Sequence, residues 1–206
     1  MQTLCSGLAE QRRAADITAV HVPAGSPRRA EAETFIGSIF ARRYDARVAS
    51  FAPNLLLLEQ SQRILAAAGW RGAAAGPLYL ERYLDASVEA CLARLAGHPV
   101  VRARVVEVGN LAADTPGGGA RMIRTLAEHL DRFGYEWVVF TATRELIGIF
   151  GKLGLPPLAV APADPARLGD EARAWGRYYE TRPIVVAGRI RFALERAGVA
   201  RADSHA

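Results

Sequence analysis

Cysteine is scarce in this sequence, and its cysteines lie far apart. The chain holds only Cys5 and Cys91, too few for the disulfide framework that stabilises small secreted proteins. The N-terminal stretch also lacks the continuous apolar core of a secretory signal. No apolar run approaches the roughly 18 residues that span a bilayer. We therefore expect a reduced, cytoplasmic protein without a membrane-spanning segment, and we expect Cys91 to be a core residue.

Several short motifs that carry chemistry are also missing. The sequence has no Gly-x-Ser-x-Gly elbow and no Walker-type lysine, which argues against serine hydrolases and nucleoside triphosphatases. Histidine, cysteine and carboxylate residues nowhere show the spacing of metal ligands, so we predict no metal site.

Charge is unbalanced but spread along the chain. The formal net charge is +5, and arginine pairs such as Arg12-Arg13, Arg28-Arg29 and Arg42-Arg43 stand isolated. An excess of positive charge favours anionic partners, such as phosphate cofactors, an acidic carrier protein or anionic lipid. No helix carries a basic stripe interleaved with aromatic residues, so we do not expect nucleic acid to bind.

Hydrophobic periodicity predicts one α/β domain over residues 1–206, with a loosely held lead-in at 1–15 and a helical insert at 76–98. Apolar, β-branched runs predict strands at 17–22, 54–60, 62–70, 100–112, 136–143 and 183–190. Ser26-Pro27 and Asp164-Pro165 resemble an N-cap followed by proline, and they predict helices at 26–43 and from 164 onward. Two further helices are predicted at 144–153 and 191–198.

The most informative stretch runs over residues 105–133. A strand rich in β-branched residues leads into Gly117, Gly118 and Gly119, and a helix follows whose apolar face begins at Met122. A glycine turn that opens a helix presents backbone N–H groups beside the positive end of the helix dipole. Such a turn is suited to hold a phosphate or another anion.

Six segments carry a resemblance to a known family. They are GPLYLERYLD (76–85), VEVGNLA (106–112), WVVFTAT (137–143), FGKLGL (150–155), ADPARL (163–168) and WGRYYETRPIVVAG (175–188). With them the chain resembles the thermostable hemolysin family, whose name records a lytic activity. The element order resembles the GNAT acyltransferase fold and is similar to that of acyl-homoserine-lactone synthases. The stretch ELIGIFGKLGL (145–155) resembles the helix that closes the thioester site there.

The resemblance implies a GNAT-like, mixed and mostly antiparallel central sheet flanked by helices. Its fourth and fifth strands, at 100–112 and 136–143, would be splayed and would hold a pantetheine arm. No cofactor would be tightly bound, and acyl-CoA or acyl-phosphopantetheine on a carrier protein would be the co-substrate. Asp114 stands where the family pattern of GNAT enzymes has a basic residue, which favours the carrier protein as donor. The residues implied in donor binding are Gly109, Leu111, Ala112, Gly117, Gly118, Gly119, Arg121 and Arg124.

Glu107 and Asn110 are the candidates for chemistry on the fourth strand. Glu107 lies in an apolar segment, where burial would raise the pKa of its carboxyl and suit a general base. The alternative is a structural ion pair with Arg102 or Arg104. Asn110 positions substrate or satisfies a bulge in the strand. Acyl transfer leaves a thiolate that needs a proton, and Tyr178 is the candidate acid.

Further residues are candidates for substrate binding. Glu59 and Glu81 are expected to flank the same cleft, with structural pairing as the alternative, and Thr141 lies on the fifth strand. The aromatic residues Phe35, Phe40, Tyr79 and Tyr83 are interpreted as the wall of an acyl tunnel or as core.

These features lead to three functional hypotheses. The first is an N-acyltransferase that moves an acyl group, of fatty type, from a thioester to the amine of a small polar acceptor such as an amino acid. The second is a membrane-active lytic protein. The third is a GNAT-like binding module without catalysis.

Overall fold

The fold is built on one sheet of seven strands. The computed structural model describes residues 16–203, with side chains to residue 196, so the predicted lead-in at 1–15 and Cys5 lie outside the described residues. The strands are β1 (Thr18–Pro23), β2 (Asn54–Gln60), β3 (Arg63–Gly72), β4 (Val105–Ala113), β5 (Trp137–Ala142), β6 (Leu158–Pro162) and β7 (Ile184–Arg189). Their spatial order is β1-β2-β3-β4-β5-β7-β6.

Strand pairing confirms the predicted mixed sheet. Only β4 and β5 are parallel, and the other neighbouring pairs are antiparallel. β2 and β3 form a hairpin through Ser61 and Gln62, both at positive φ. The parallel pair needs a crossover, and the glycine-opened helix supplies it.

Helices cover both faces of the sheet. They are α1 (Arg29–Tyr44), α2 (Val88–Ala96), α3 (Gly118–Arg132), α4 (Arg144–Lys152) and α5 (Ile190–Asp203). Side chains of α3 and α5 pack with Leu56, Ala68 and Val106 on one face. On the other face, α1 packs with Leu55 and Leu57. Within residues 16–203, no helix is both long enough and apolar enough to cross a membrane.

Two element boundaries and one strand differ from the sequence prediction. The strand predicted at 100–112 begins only at Val105, because Arg102–Arg104 form a 3₁₀ turn. The helix predicted from Ser26 begins at Arg29, and the Ser26 hydroxyl accepts a hydrogen bond from the Arg28 N–H. β6 was not predicted, because this strand has only five residues and most of them are exposed.

Two regions predicted to be helical contain 3₁₀ helix. The insert at 76–98 contains a 3₁₀ helix at Tyr79–Tyr83 before the short α2. Asp164 caps the next predicted helix as expected, through a hydrogen bond from the Ala166 N–H. That segment is nevertheless 3₁₀ and is kinked at Gly169, whose φ is 59°. After Gly176 the chain forms a further 3₁₀ helix, Tyr178–Thr181.

Candidate active site

A cavity of about 700 Å³ opens where β4 and β5 separate. The two strands pair from Val105 and Trp137 up to Val108 and Phe140, and both continue beyond that point. The register between β3 and β4 also shifts there, and Asn110 has a φ of 53°. This β-bulge bends β4 away from β5. The edge of Gly109–Leu111 therefore faces the cavity rather than a neighbouring strand.

The glycine turn lies at one end of the cavity. Gly117 has a φ of 76° and forms the N-cap of α3, while the Gly118 N–H donates to the carbonyl of Thr115. A Cβ at Gly118 would stand 2.9 Å from the Thr115 hydroxyl, so the turn has no room for a side chain there. Gly117 and Gly119 line the cavity. The first turn of α3 thus directs its positive dipole end toward the cavity, as predicted.

Asp114 lies beside this turn but its charge is compensated. Its carboxylate forms ion pairs with Arg42 at 2.7 Å and with Arg63 at 3.3 Å. Arg121 and Arg124, which the resemblance implied in donor binding, are exposed on α3 and do not line the cavity. Asp114 is therefore a weaker argument against coenzyme A than the sequence suggested, because two guanidinium groups share one carboxylate.

Glu107 lines the cavity on the face opposite α3. Its carboxylate accepts hydrogen bonds from the backbone N–H groups of Tyr79 at 2.9 Å and Leu80 at 2.8 Å. The predicted alternative, an ion pair with Arg102 or Arg104, is wrong. Arg102 binds Glu81 and Glu89, and Arg104 donates to the Gly134 carbonyl.

Burial sets the protonation of Glu107. Removal from solvent raises the pKa of its carboxyl, and the two backbone hydrogen bonds offset part of that rise. A carboxylate with a raised pKa is a better proton acceptor than a surface glutamate. Its two N–H donors also attach the Tyr79–Tyr83 segment to β4, so Glu107 positions the aromatic side chains of that segment.

Asn110 occupies the bulge itself. Its side-chain oxygen accepts a hydrogen bond from the Ala52 N–H at 3.0 Å, which ties the loop before β2 to β4. Only glycine fits opposite, since a Cβ at Gly69 would lie 2.9 Å from that oxygen. The Asn110 side chain thus satisfies the bulge, as one of its two predicted roles has it. Asn110 also lines the cavity.

Aromatic side chains surround the end of the cavity near Glu107. The Tyr83 and Tyr179 hydroxyls are 2.6 Å apart, and the Trp175 indole N–H donates to the Tyr79 hydroxyl at 3.1 Å. Tyr178 is 9% exposed and burial raises its pKa, so its hydroxyl stays protonated. Trp175 and Tyr179 pack against the core and also line the cavity.

The structure separates several predicted site residues from the cavity. Glu59 and Glu81 do not flank it: Glu59 is buried against Arg28 at 2.6 Å, and Glu81 binds Arg102 at 2.6 Å. Ala112 points instead into the core under α1. The predicted residues that line the cavity are Glu107, Gly109, Asn110, Leu111, Gly117, Gly119, Thr141 and Tyr178.

Two contributors to the site were not predicted. Arg71 lines the cavity and is the cross-strand neighbour of Glu107, a register that the sequence does not reveal. The Phe150 ring of α4 stacks on Phe140 of β5 with centroids 4.9 Å apart. The signal for this contact was present, because α4 carries Leu146, Ile149 and Phe150 at helical spacing. Among the side chains described, to residue 196, no group of three metal-ligating residues is found.

Solved structures share this architecture. FeeM, an N-acyl amino acid synthase from uncultured soil microbes, is 14% identical with a TM-score of 0.58, covering 87% of this chain and 94% of that chain. The CoA-dependent acyl-homoserine lactone synthase MesI is 12% identical with a TM-score of 0.58, covering 89% and 94%. The acyl-homoserine-lactone synthase LasI is 10% identical with a TM-score of 0.57, covering 85% and 91%. These similarities confirm the GNAT-like fold.

The sequence itself identifies the family. No curated relative matches the chain. The family model described as thermostable hemolysin matches residues 22–194, which include all six segments that carried the resemblance. The chain belongs to the thermostable hemolysin family.

Proposed function

We propose that this protein is an N-acyltransferase that moves an acyl group from a thioester to the amine of a small polar acceptor, such as an amino acid. One observation carries the proposal. A single cavity joins the glycine turn, the free edge of Gly109–Leu111 and the partly buried carboxylate of Glu107. Phosphate binding, thioester orientation and proton abstraction need these three features in that order.

The donor is acyl-CoA or an acyl-phosphopantetheine arm on a carrier protein. Its phosphate lies at Gly117–Gly119, and its arm follows the free edge of β4. The backbone N–H groups of Gly109 and Leu111 polarise the thioester carbonyl, a contribution worth roughly 10²–10³ in rate for one such donor. Similar solved structures include CoA-dependent acyl-homoserine lactone synthases. The ion pairs of Asp114 reduce its repulsion of a CoA pyrophosphate here.

The reaction needs one base and one acid. Glu107, or a water bound to it, removes a proton from the acceptor ammonium, and the amine nitrogen then attacks the thioester carbon. The C–N bond forms, the nitrogen loses its second proton through water to the Tyr178 phenolate left by the last step, the C–S bond breaks and the thiolate leaves. Tyr178, which lines the cavity, supplies the proton that converts the thiolate to a thiol. Asn110 holds the bulge that presents the strand edge, and Thr141 contacts substrate from β5.

The product would be an acylated amphiphile. A surfactant of this kind disrupts membranes by itself, which would reconcile the family name with an acyltransferase fold. Direct lysis by the protein, or a binding module without catalysis, are the two other outcomes of the test.

The test offers the purified protein acyl-CoA and acyl-carrier-protein donors with pooled amino acids and polar amines. Thiol release and mass spectrometry of the products follow the reaction, and dye leakage from liposomes is measured in parallel. We expect thiol release coupled to an acylated amine, and leakage only after product forms. Leakage without any acyl transfer would overturn the proposal. The absence of both acyl transfer and leakage would also overturn it and would support the binding module.

A further inference from the structure

The cavity reaches both faces of the sheet. Successive side chains of a strand point to opposite faces, so Val106 packs with α3 whereas Glu107 contacts the Tyr79–Tyr83 segment. The two faces communicate where β4 and β5 separate after Val108. The cavity therefore has two branches that meet at the splay.

The two branches differ in chemistry. The branch beside Glu107, here the aromatic branch, holds hydroxyl groups, an indole N–H and the guanidinium of Arg71. The branch along α3 and α5 is here called the apolar branch, because the cavity-lining residues of these two helices carry no polar side chain. Its walls are Ile123, Leu126, Ala127 and Leu130 of α3 with Ile190 and Ala193 of α5.

The apolar branch is long. From Ile123 to Leu130 the helix rises about 1.5 Å per residue, so this wall extends for roughly 10 Å. An acetyl group would leave most of it empty. Each methylene moved from water into such an environment improves binding about fourfold, and the wall offers no hydrogen-bonding group to a polar acceptor.

We infer that the acyl chain of the donor lies in the apolar branch and that the acceptor occupies the aromatic branch. This inference rests on the proposed acyl transfer and specifies its substrate: a medium or long acyl chain. It replaces the interpretation of Phe40, Tyr79 and Tyr83 as an acyl tunnel, because these rings stand on the Glu107 side. Phe35 does not line the cavity at all.

Ala127 and Ala193 set the space available to the chain. Both line the apolar branch, one from each helix, and a larger side chain at either position fills it. Ala127 is 9% exposed, so a replacement would project into the cavity rather than into solvent.

The experiment compares Ala127→Leu and Ala193→Leu with wild type on a donor series from acetyl through butanoyl and octanoyl to dodecanoyl. We expect kcat/KM for dodecanoyl donors to fall at least tenfold, with little change for butanoyl donors and none in the KM of the acceptor. Asp131→Leu places a leucine on the exposed side of α3 and should leave the profile unchanged. Tyr79→Leu should raise the acceptor KM without changing the preferred chain length.

A binding measurement separates this inference from the proposed reaction. Dodecanoate should raise the thermal midpoint of wild type and of Asp131→Leu, but not that of Ala127→Leu, whether or not any donor is turned over. Circular dichroism checks that each variant is folded, and Ala127→Val replaces any leucine variant that is not. Three results would overturn the inference. The alanine-to-leucine variants could lose kcat/KM equally for all donors, wild type could transfer acetyl as fast as dodecanoyl, or Tyr79→Leu could prefer a shorter chain.

Discussion

Glu107 shows how one residue combines structural and chemical roles. Its carboxylate holds the Tyr79–Tyr83 segment through two backbone N–H groups, and burial raises its pKa. The sequence identified the burial from its apolar neighbours but assigned the wrong partners. An arginine was the expected partner of this carboxylate. Instead, the backbone N–H groups of Tyr79 and Leu80, nearly thirty residues away in sequence, donate to it.

Replacing Glu107 by Gln should lower kcat by roughly 10²–10⁴, the usual range for a general base. In wild type, kcat/KM should fall as the pH drops through the raised pKa of Glu107, because the protonated carboxyl accepts no proton from the amine. The variant should lose this acidic limb. A pH–rate profile of both proteins checks the prediction, and undiminished turnover of the variant would remove Glu107 from the mechanism.

Tyr178→Phe removes the proposed acid while keeping the ring in its aromatic surroundings. We expect kcat to fall at least tenfold, with unchanged donor KM, because the thiolate then takes its proton from water. Thr181→Ala is the matched control, since the Thr181 hydroxyl bonds only the nearby Tyr178 carbonyl. A donor whose thiol has a low pKa should restore the variant, and failure of that rescue would argue for a structural role.

At the scale of elements, the turn before α3 and the insert before β4 define the two ends of the site. The turn could be read from its three glycines, because only glycine readily adopts the left-handed conformation of Gly117. The insert could not, because its shape depends on Arg102. That guanidinium donates to the carbonyls of Ala73 and Gly76 and to the carboxylate of Glu81.

Gly117→Ala should destabilise the protein and weaken donor binding together. Its φ of 76° is strained for alanine, at a cost of about 1–2 kcal/mol. Gly37→Ala, in the middle of α1 with open space around it, should instead stabilise by up to about 1 kcal/mol. Urea unfolding and the donor KM of both variants check this. An unchanged donor KM in Gly117→Ala would place the phosphate elsewhere.

Glu81→Gln tests the insert. Hydrogen bonds from Arg102 lower the pKa of Glu81 to about 2. A lowered pKa means that the stabilisation is complete above the unfolded value near 4.5 and is lost as the pH falls through about 2. The variant should lose about 1–2 kcal/mol at pH 7, allowing for solvent screening of this partly exposed pair.

The pH dependence is the sharper part of that test. Between pH 5 and pH 2, the free energy of unfolding of Glu81→Gln should fall less steeply than that of wild type. Glu171→Gln breaks an exposed ion pair with Arg82 and should leave the unfolding midpoint unchanged. If the free energy of unfolding changes with pH in the same way for wild type and Glu81→Gln, the stabilising role assigned to the Glu81–Arg102 pair is contradicted.

At the scale of the whole molecule, the net charge of +5 bears on the choice of donor. Arg42 and Arg63 are more than half exposed beside the glycine turn. An acidic carrier protein would be attracted over this surface, and salt would screen the attraction. A small donor presents fewer charges and depends less on long-range attraction.

Raising the salt concentration from about 50 mM to about 500 mM should lower kcat/KM for a carrier-protein donor by about tenfold or more. The decrease for an acyl-CoA donor should be smaller. Arg42→Gln combined with Arg63→Gln should reduce the difference between the two slopes. Identical salt slopes for both donors in wild type would speak against carrier-protein recognition.

The sequence by itself determined what depends on local patterns. Six of the seven described strands, the glycine turn and the removal of Glu107 from bulk solvent all follow from hydrophobic periodicity and from residues with special backbone preferences. The family resemblance added the splay of β4 and β5. Only the tertiary structure decided which distant residues meet: the partners of Glu107, the removal of Glu59 and Glu81 from the cleft, and the two branches of the cavity. The physical reason is that such contacts depend on strand register and on 3₁₀ segments, and neither leaves a periodic signal along the chain.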